Sequence, residues 1–246
     1  MKTIIKQFWI IIITIIIIPL MTVCDERYSE DIGGNYDYDA FYDSYLLFTL
    51  IDGPAYSVRS STGNSYSHLW IPDIYKGLPV TTIESFGFYK AVIANNLTIP
   101  NSVTSIGDSA FAYCHDLWGV IIPNSVTLIH GRMFYLSSLL DITIPDSVTS
   151  IGYSAFEGCG RLRSIKIPNS VTSIGNSVFR NWTSSQTIHI PFASLAEANL
   201  GWGSDWAYNN AIIKNNAGIQ VRPRNNPADL LQPIIRQLFE KADIIP

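Results

Sequence analysis

The chain has 246 residues, a net charge of −4, 47% apolar residues and 15% charged residues, and this length allows one domain of ordinary size with a tail. The mild negative charge argues against a nucleic-acid-binding protein, which needs a basic face. Only three cysteines occur, too few for a disulfide framework, so stability has to come from packing.

Residues 1–24 predict export. Lys2 and Lys6 precede an uncharged, isoleucine-rich run from Phe8 to Val23, and a short basic region before an apolar region is typical of a secretory signal. The run is short for a membrane span, which needs about 20 apolar residues. An uncleaved anchor is the alternative. In both cases we expect the rest of the chain to lie outside the cytosolic membrane.

The end of this run, Leu20-Met21-Thr22-Val23-Cys24, resembles a bacterial lipobox. The motif usually has Gly, Ala or Ser before its cysteine, where this chain has Val23. The resemblance implies that Cys24 is lipidated and attaches the chain to a membrane. An ordinary cleaved signal that ends near a cysteine is the alternative.

Residues 25–43 form a polar stretch with seven acidic residues and one basic residue. Such a stretch next to a membrane is usually a solvated tether. We therefore predict an acidic tether over 25–43, with a binding patch made by its tyrosines as the alternative.

An internal repeat dominates the rest of the sequence. A phrase of the form Ile-Pro-Asn/Asp-Ser-Val-Thr begins at Ile99, Ile122, Ile144 and Ile167, so its prolines at 100, 123, 145 and 168 are spaced by 23, 22 and 23 residues. Each phrase leads to a phenylalanine, at position 111, 134, 156 or 179. A fixed period of this length predicts a solenoid of stacked coils.

The chemistry of one repeat predicts the path of one coil. Ile142 and Ile144 alternate as in a strand with one buried face, and Pro145 ends that strand because it cannot donate a ladder hydrogen bond. Ile151 then returns the chain to the core, and Phe156 closes the coil. One coil cannot bury its own apolar face, so neighbouring coils have to stack like side chain on like.

Degenerate copies flank the four regular phrases. One runs from Ile71-Pro72 to Phe88, and another begins at Ile190-Pro191 and reaches Gly201-Trp202. Terminal repeats of a solenoid have to be atypical because they cap its ends. We therefore place a capped array over residues 44–214.

These phrases resemble the leucine-rich repeats of the Treponema pallidum type, also called BspA-like, whose pattern is roughly L-x-x-I-x-I-P-x-S-V-T-x-I-G-x-x-A-F-x-x-C. The resemblance covers Leu46 to about Lys214. It implies a mostly β, α/β solenoid with a right-handed coil of about 22–23 residues per leucine-rich repeat. Leu46–Val58 looks like the strand pair that often opens such arrays, with its turn at Asp52-Gly53.

The resemblance also implies a cell-surface or secreted protein of a bacterium or of a parasite. Some relatives bind host matrix proteins or other bacteria. The leading hypothesis is therefore an exported, adhesin-like binding module for a protein or other extracellular macromolecule. A structural protein that self-associates on the cell surface is the alternative.

Catalysis is not expected. The segment Gly152-Tyr153-Ser154-Ala155-Phe156 is similar to a nucleophile elbow but lacks its final glycine. The same pattern recurs at residues 107–111, and an element that is copied along a solenoid is structural. The four histidines show no metal-ligand spacing, and no phosphate loop or dinucleotide fingerprint occurs. We predict no enzyme activity, no metal and no cofactor.

Cys114 and Cys159 occupy the same position of the repeat, two coils apart. Neighbouring strands lie about 4.8 Å apart, so two coils span roughly 10 Å, whereas a disulfide needs Cα atoms within about 7 Å. We predict that both stay unpaired and act as small buried hydrophobes.

The candidate binding surface consists of strand positions that vary while the buried positions repeat. A solenoid offers its strands as an extended concave surface. The position two before each proline holds Trp70, Thr98, Ile121, Thr143, Lys166 and His189; the position five before holds Ser67, Asn95, Trp118, Leu140, Arg163 and Gln186.

Within these two columns an apolar patch is predicted at Trp118, Ile121 and Leu140, because aromatic anchors suit protein interfaces. A contact with a neighbouring cap or with the tail is the alternative. The ligand-binding candidates are Trp70, Trp118, Ile121, Leu140, Thr143, Arg163, Lys166 and His189.

Residues 215–246 form a predicted tail. Apolar residues recur near helical spacing between Asp229 and Lys241, which predicts a short amphipathic helix. We expect this helix to cap the last coil, with docking on a partner as the alternative.

Overall fold

The computed structural model describes residues 42–43, 45–61, 65–66, 69–202, 206 and 211–221. The predicted signal, the lipidation site Cys24, nearly all of the acidic tether and the tail helix at Asp229–Lys241 lie outside these residues.

Strands precede the first regular coil and recur in every coil. The first six are β1 (Leu46–Ile51), β2 (Ala55–Ser60), β3 (Ser65–Tyr66), β4 (Ile74–Tyr75), β5 (Leu78–Ile83) and β6 (Val92–Ile93). The regular coils contribute β7 (Asn95–Thr98), β8 (Ser105–Ile106), β9 (Leu117–Ile121), β10 (Leu128–Ile129), β11 (Asp141–Thr143), β12 (Ser150–Ile151), β13 (Ser164–Lys166), β14 (Ser173–Ile174) and β15 (Thr187–His189). The helix α1 (Leu195–Trp202), β16 (Ile212–Lys214) and β17 (Gln220–Val221) follow.

An antiparallel hairpin opens the structure. β1 pairs with β2 from Leu46↔Ser60 to Ile51↔Ala55, and the connection contains Gly53 at a φ of 103°, a conformation that glycine adopts without strain. The predicted strand pair with a turn at Asp52-Gly53 is confirmed. Because β2 pairs in parallel with β5, the hairpin covers the first coil.

Each coil has three sides, which confirms the predicted solenoid. The long-strand side is built from β7, β9, β11, β13, β15 and β16, and the short-strand side from β8, β10, β12 and β14. The turn side has no strands and comprises residues 86–90, 109–113, 132–136, 154–158 and 177–181. Parallel pairing between coils, such as β9 with β11, aligns equivalent residues of successive repeats.

A column of phenylalanines fills the core behind the turn side. Its members are Phe88, Phe111, Phe134, Phe156 and Phe179. All five are fully buried, and neighbouring rings lie 5.5–6.0 Å apart with interplanar angles between 6° and 13°. These are distances at which aromatic pairs attract each other beyond simple burial.

Backbone hydrogen bonds join the turn side from coil to coil. In one junction Ser109 N donates to Gly131 O, Phe111 N to Met133 O and Tyr113 N to Tyr135 O, at 2.8–3.0 Å. Three such bonds join each pair of neighbouring turns from residue 86 to residue 180. We call this set the turn ladder.

Left-handed residues make the turn ladder possible. Two positions per coil have positive φ, namely Phe86 and Lys90, Ser109 and Tyr113, Arg132 and Leu136, Ser154 and Gly158, and Ser177 and Asn181. In each turn that donates to a next coil they are the first and the third of the three donors, and these donors are every second residue of the turn. A left-handed non-glycine residue costs roughly 1–2 kcal/mol, which the satisfied backbone groups and the buried phenylalanines have to offset.

The two strand ladders are interrupted where the turn ladder is not. β13 follows β11 on the long-strand side without pairing to it, and β10 follows β8 on the short-strand side without pairing to it. The turn ladder crosses both junctions. The turn side is therefore the continuous backbone connection of the regular coils.

A glycine after the short strand sets the distance between coils. A Cβ on Gly107, Gly152 or Gly175 would lie 2.5 Å from a backbone nitrogen of the preceding coil. The remaining regular coil has His130 at this position, and its short strand β10 is the one that fails to pair with the preceding β8. The side chain at this position explains that interruption, because it prevents the same close approach.

Tryptophans close the C-terminal end. The Trp202 indole donates to Val171 O at 3.0 Å, and its ring meets Phe192 and Trp206 edge-on at 4.8 and 5.1 Å. Trp206 in turn lies over Phe179, the last ring of the phenylalanine column. β16 continues the long-strand side by pairing in parallel with β15, and β17 folds back on β16.

Replacing Gly152 with alanine is expected to destabilise the fold. Its Cβ would meet Gly131 N at 2.5 Å, and overpacking of this kind costs about 1–3 kcal/mol. The melting temperature of the Gly152→Ala variant should therefore fall. Gly160→Ala is the matched control, because its nearest atom outside its chain neighbours lies 4.0 Å away. Equal melting temperatures for the two variants would contradict this account of coil spacing.

Candidate binding surface on the long-strand side

Strand alternation places the predicted first column on the outer face. In β9, Leu117 and Val120 are buried while Trp118 and Ile121 are exposed. Pairing aligns Ile121 with Thr98 of the preceding coil and with Thr143 of the next coil. The position two before each proline therefore forms a real column in these three coils.

The structure brings the predicted apolar patch together. We use "apolar patch" for Trp118, Ile121 and Leu140, whose exposures are 42%, 61% and 42%. Leu140 N donates to Trp118 O at 2.7 Å, so the two residues are direct neighbours on adjacent coils. Ile121 lies on the same strand as Trp118. These three side chains are apolar surface that the described part of the chain leaves exposed.

Trp70 lies in a degenerate coil whose burial pattern follows that of the column, exposed between the buried Leu69 and Ile71. Residues 69–73 form no strand, and Trp70, although 60% exposed, lines a separate groove of about 380 Å³ with Ile74, Pro79 and Pro100. The degenerate first copy thus has the proline of the repeat but not its long strand. The groove places Trp70 beside Pro100, two residues after Thr98 of the column.

The basic candidates form a second section of the long-strand side. Lys166 pairs with His189, and the pairing continues from His189 to Lys214. We call Lys166, His189 and Lys214 the basic row. The sequence did not reveal Lys214 because no proline phrase marks its coil. Arg163 is exposed in the same coil as Lys166.

Sequence reasoning also missed a column four residues before each proline. This position holds Asn96, Gly119, Asp141, Ser164 and Thr187. Asn96, Asp141 and Ser164 are exposed, on the same face as the position two before the proline. The two-residue period of a strand would have revealed them.

Gln186 corrects the predicted second column. It was expected on the outer face, but it is 2% exposed. Its amide donates to Cys159 O at 3.0 Å and to Leu162 O at 2.8 Å and accepts from Thr183 N. A buried amide is stable where backbone groups satisfy it, so Gln186 turns inward to bond the preceding coil.

No ion pair found in the described part of the chain involves the basic row. The ion pairs found there involve other residues: Arg59–Glu84, Lys76–Asp43 and Arg180–Glu157. Partial burial lowers the pKa of His189 below its ordinary value, and the nearby Lys214 and Lys166 lower it further. Both effects favour the neutral form of His189, which lies between two cations.

The two described cysteines are free and buried, which confirms that they do not pair. Their thiols donate to carbonyl groups of the preceding coil, Cys114 to Phe88 O and Cys159 to Phe134 O. Burial raises the pKa of both thiols to about 12. They are structural residues because the reactive thiolate is disfavoured.

Serines of the elbow-like pattern belong to the scaffold. Ser109 and Ser154 are buried, take left-handed conformations and donate their backbone N–H to the turn ladder. Among the described residues, no group of three His, Cys, Asp or Glu residues could hold a metal ion. No helix in the same residues is long and apolar enough to span a bilayer.

Comparison with known proteins agrees with this architecture. Residues 81–199 match, in six copies, the family model described as BspA type leucine rich repeat region. The crystal structure of the T. pallidum leucine-rich-repeat protein is similar, with 28% identity and a TM-score of 0.56 over 60% of this chain and 70% of that chain. Residues 81–199 are therefore leucine-rich repeats of the BspA type, within the leucine-rich-repeat fold described above.

A second solved structure is more distant. The leucine-rich-repeat protein from Bacteroides ovatus has 24% identity and a TM-score of 0.49, over 60% of this chain and 46% of that chain. The chain thus matches less than half of that protein's length. No curated protein matches the sequence.

Thiol labelling tests the burial of the cysteines. In a Cys24→Ser variant, Cys114 and Cys159 should not react with a thiol reagent at about pH 8, because their raised pKa keeps them protonated and the core excludes the reagent. Both should react after unfolding. Rapid labelling of the native chain would contradict the packing described above.

Proposed function

We propose that this protein is an exported, cell-surface binding module, adhesin-like, that recognises a protein or other extracellular macromolecule through its long-strand side. The observation that carries the proposal is the apolar patch. The repeated residues of the coil are committed to the core or to hydrogen bonds between coils. Trp118, Ile121 and Leu140 interrupt that regularity with exposed apolar side chains.

The apolar patch has the chemistry of a protein-binding anchor. Exposed contiguous apolar surface marks an interaction site more often than scattered residues do. In protein interfaces, a few residues lose about 2 kcal/mol or more of binding free energy when truncated to alanine, and tryptophan and arginine are enriched among them. Trp118 lies at the patch, and Arg163 is exposed further along the same side.

Export and surface attachment rest on the N-terminal sequence. The basic start, the isoleucine-rich run and Cys24 support a signal with a lipidated cysteine, and the acidic stretch 25–43 would hold the array away from the membrane. The BspA-type repeats fit a surface protein. We propose no catalytic role and no cofactor, because the serines of the elbow-like pattern belong to the scaffold and the histidines show no metal-ligand spacing.

Self-association is the second candidate function. It is favoured by the same apolar patch, because an exposed apolar surface can also pair with a second copy. The two functions differ in what covers Trp118: a foreign partner in the first case and another copy of this chain in the second.

Changing the apolar patch should abolish capture of the partner. We predict that the full-length chain retains at least one protein from host extracellular-matrix extracts, and that Trp118→Ser, Ile121→Ser, Leu140→Ser together weaken this capture by more than about tenfold. The matched control is Leu47→Ser, Leu50→Ser, Ile219→Ser. These aliphatic residues are similarly exposed, at 38%, 60% and 62%, but lie on the terminal hairpins.

Three outcomes separate the possibilities. Loss of capture with the patch variant alone supports binding through the long-strand side. Equal capture by parent and patch variant contradicts it. Concentration-dependent assembly of the parent that the patch variant abolishes, without capture of any foreign protein, assigns the patch to self-association instead.

A further inference from the structure

Beyond the apolar patch, the C-terminal end of the long-strand side carries three donors in a line. Lys166, His189 and Lys214 are directly aligned on the paired strands β13, β15 and β16. Paired strands lie about 4.8 Å apart, so the two lysine Cα atoms are separated by roughly 10 Å. Both lysines influence His189 electrostatically, which places the three groups in one local field.

The positive charge of the basic row is local. The whole chain has a net charge of −4 and a pI near 5.5, so general electrostatics would repel an anionic polymer. Neither lysine belongs to an ion pair found in the described residues. The two lysines of the basic row therefore offer an anion local positive charge on a chain whose net charge is negative.

A polar groove adjoins the basic row. It has a volume of about 790 Å³ and is lined by Asp146, Lys166, Pro168, Asn169, Ser170, His189 and Asn216. The Ser170 hydroxyl is buried and has no hydrogen-bond partner, like the equivalent hydroxyl of Ser102, whereas those of Ser125 and Ser147 bond to the preceding coil. The groove thus contains amide, hydroxyl and carboxylate groups beside two cationic side chains and an imidazole.

This set of groups differs from a protein-binding hot spot. The groove has no aromatic side chain except that of His189, and its lining is polar apart from Pro168, whereas protein interfaces bury aromatic and apolar anchors. Amides, hydroxyls and a carboxylate are instead suited to sugar hydroxyls, which both donate and accept hydrogen bonds. A sulfate group offers several acceptor oxygens to the ammonium and imidazole donors of the basic row.

We propose that the basic row and its groove bind a sulfated saccharide, with Lys166, His189 and Lys214 contacting sulfate oxygens and the groove contacting the sugar. This inference rests on the proposed function in one respect, that the long-strand side is a binding surface. It adds a second ligand class, at a section of that surface distinct from the apolar patch.

The test is a titration of the full-length chain with a heparin-derived octasaccharide at about 150 mM salt, where exposed charges more than about 8 Å apart are screened. The parent should bind, and Lys166→Gln with Lys214→Gln should weaken binding by at least about tenfold, because two charge-assisted contacts are lost. The control is Lys90→Gln with Arg132→Gln. It removes the same charge from the turn side, where both residues lie over tyrosine rings, and should change binding less than about twofold.

Two further ligands and one further variant distinguish the sources of failure. Binding of an oligogalacturonate shows whether a saccharide with carboxylates can replace one with sulfates. Binding of polyglutamate shows whether an acidic polypeptide can replace a saccharide. Both should bind at least about tenfold more weakly than the octasaccharide, which is roughly 1.4 kcal/mol. The apolar-patch variant should bind the octasaccharide as the parent does, so a failure of protein capture leaves this inference standing, and the reverse also holds.

No binding by the parent overturns the inference. So does equal weakening by the two double variants, because binding would then follow net charge alone. Polyglutamate binding as tight as that of the octasaccharide, with the same dependence on Lys166 and Lys214, would assign the row to an acidic protein. Melting temperatures of all variants should match the parent within about 2 °C, since surface substitutions change stability little.

Discussion

The hydrogen bonds of the turn ladder are the interaction on which the rest of this solenoid depends. They cross every junction between residues 86 and 180, at 2.8–3.1 Å, including the two junctions where a strand ladder is interrupted. At each junction, two of the three donors are residues in left-handed backbone conformations. The phenylalanine column lies directly behind them, so the same short segment supplies both the backbone connection and the largest buried side chains.

This arrangement leaves the long-strand side free to vary. Its inward residues, such as Leu117 and Val120, are needed for the core, but its outward residues support neither the turn ladder nor the phenylalanine column. The interruption between β11 and β13 divides that side into a section with the apolar patch and a section with the basic row. Two different ligand chemistries can therefore exist on one scaffold without a change in the core.

Much of the fold could be predicted because the repeat is regular. The spacing of the prolines predicted the coil, like residues stacking on like predicted the phenylalanine column, and the distance between two coils predicted that Cys114 and Cys159 stay free. The turn ladder could not be predicted in the same way. Its left-handed positions hold residues as different as Phe86, Lys90 and Ser109, so no residue type identifies them.

The candidate site was predictable only where the repeat phrase holds. Ile121 follows from strand alternation counted back from a proline. Trp118 is three residues from Ile121 and departs from that alternation, because the register of β7 with β9 shifts and skips it. Gln186 was misplaced because its coil puts a polar residue inward, where two carbonyl groups satisfy it. Lys214 lies in a degenerate coil without a proline, so counting from a proline could not reveal it. Trp70 is exposed as that count predicts, although its coil has a proline without a strand.

The most direct test of the central claim, that a partner docks on the long-strand side, is site-specific photo-crosslinking. A photoreactive residue would replace Ile121 in one variant and Tyr153, which directly precedes the turn-side residues 154–158, in another. These positions are 61% and 47% exposed. After incubation with host matrix extracts, crosslinks to a foreign protein from position 121 and none from position 153 are the predicted result. Crosslinks from position 153 alone would contradict the account.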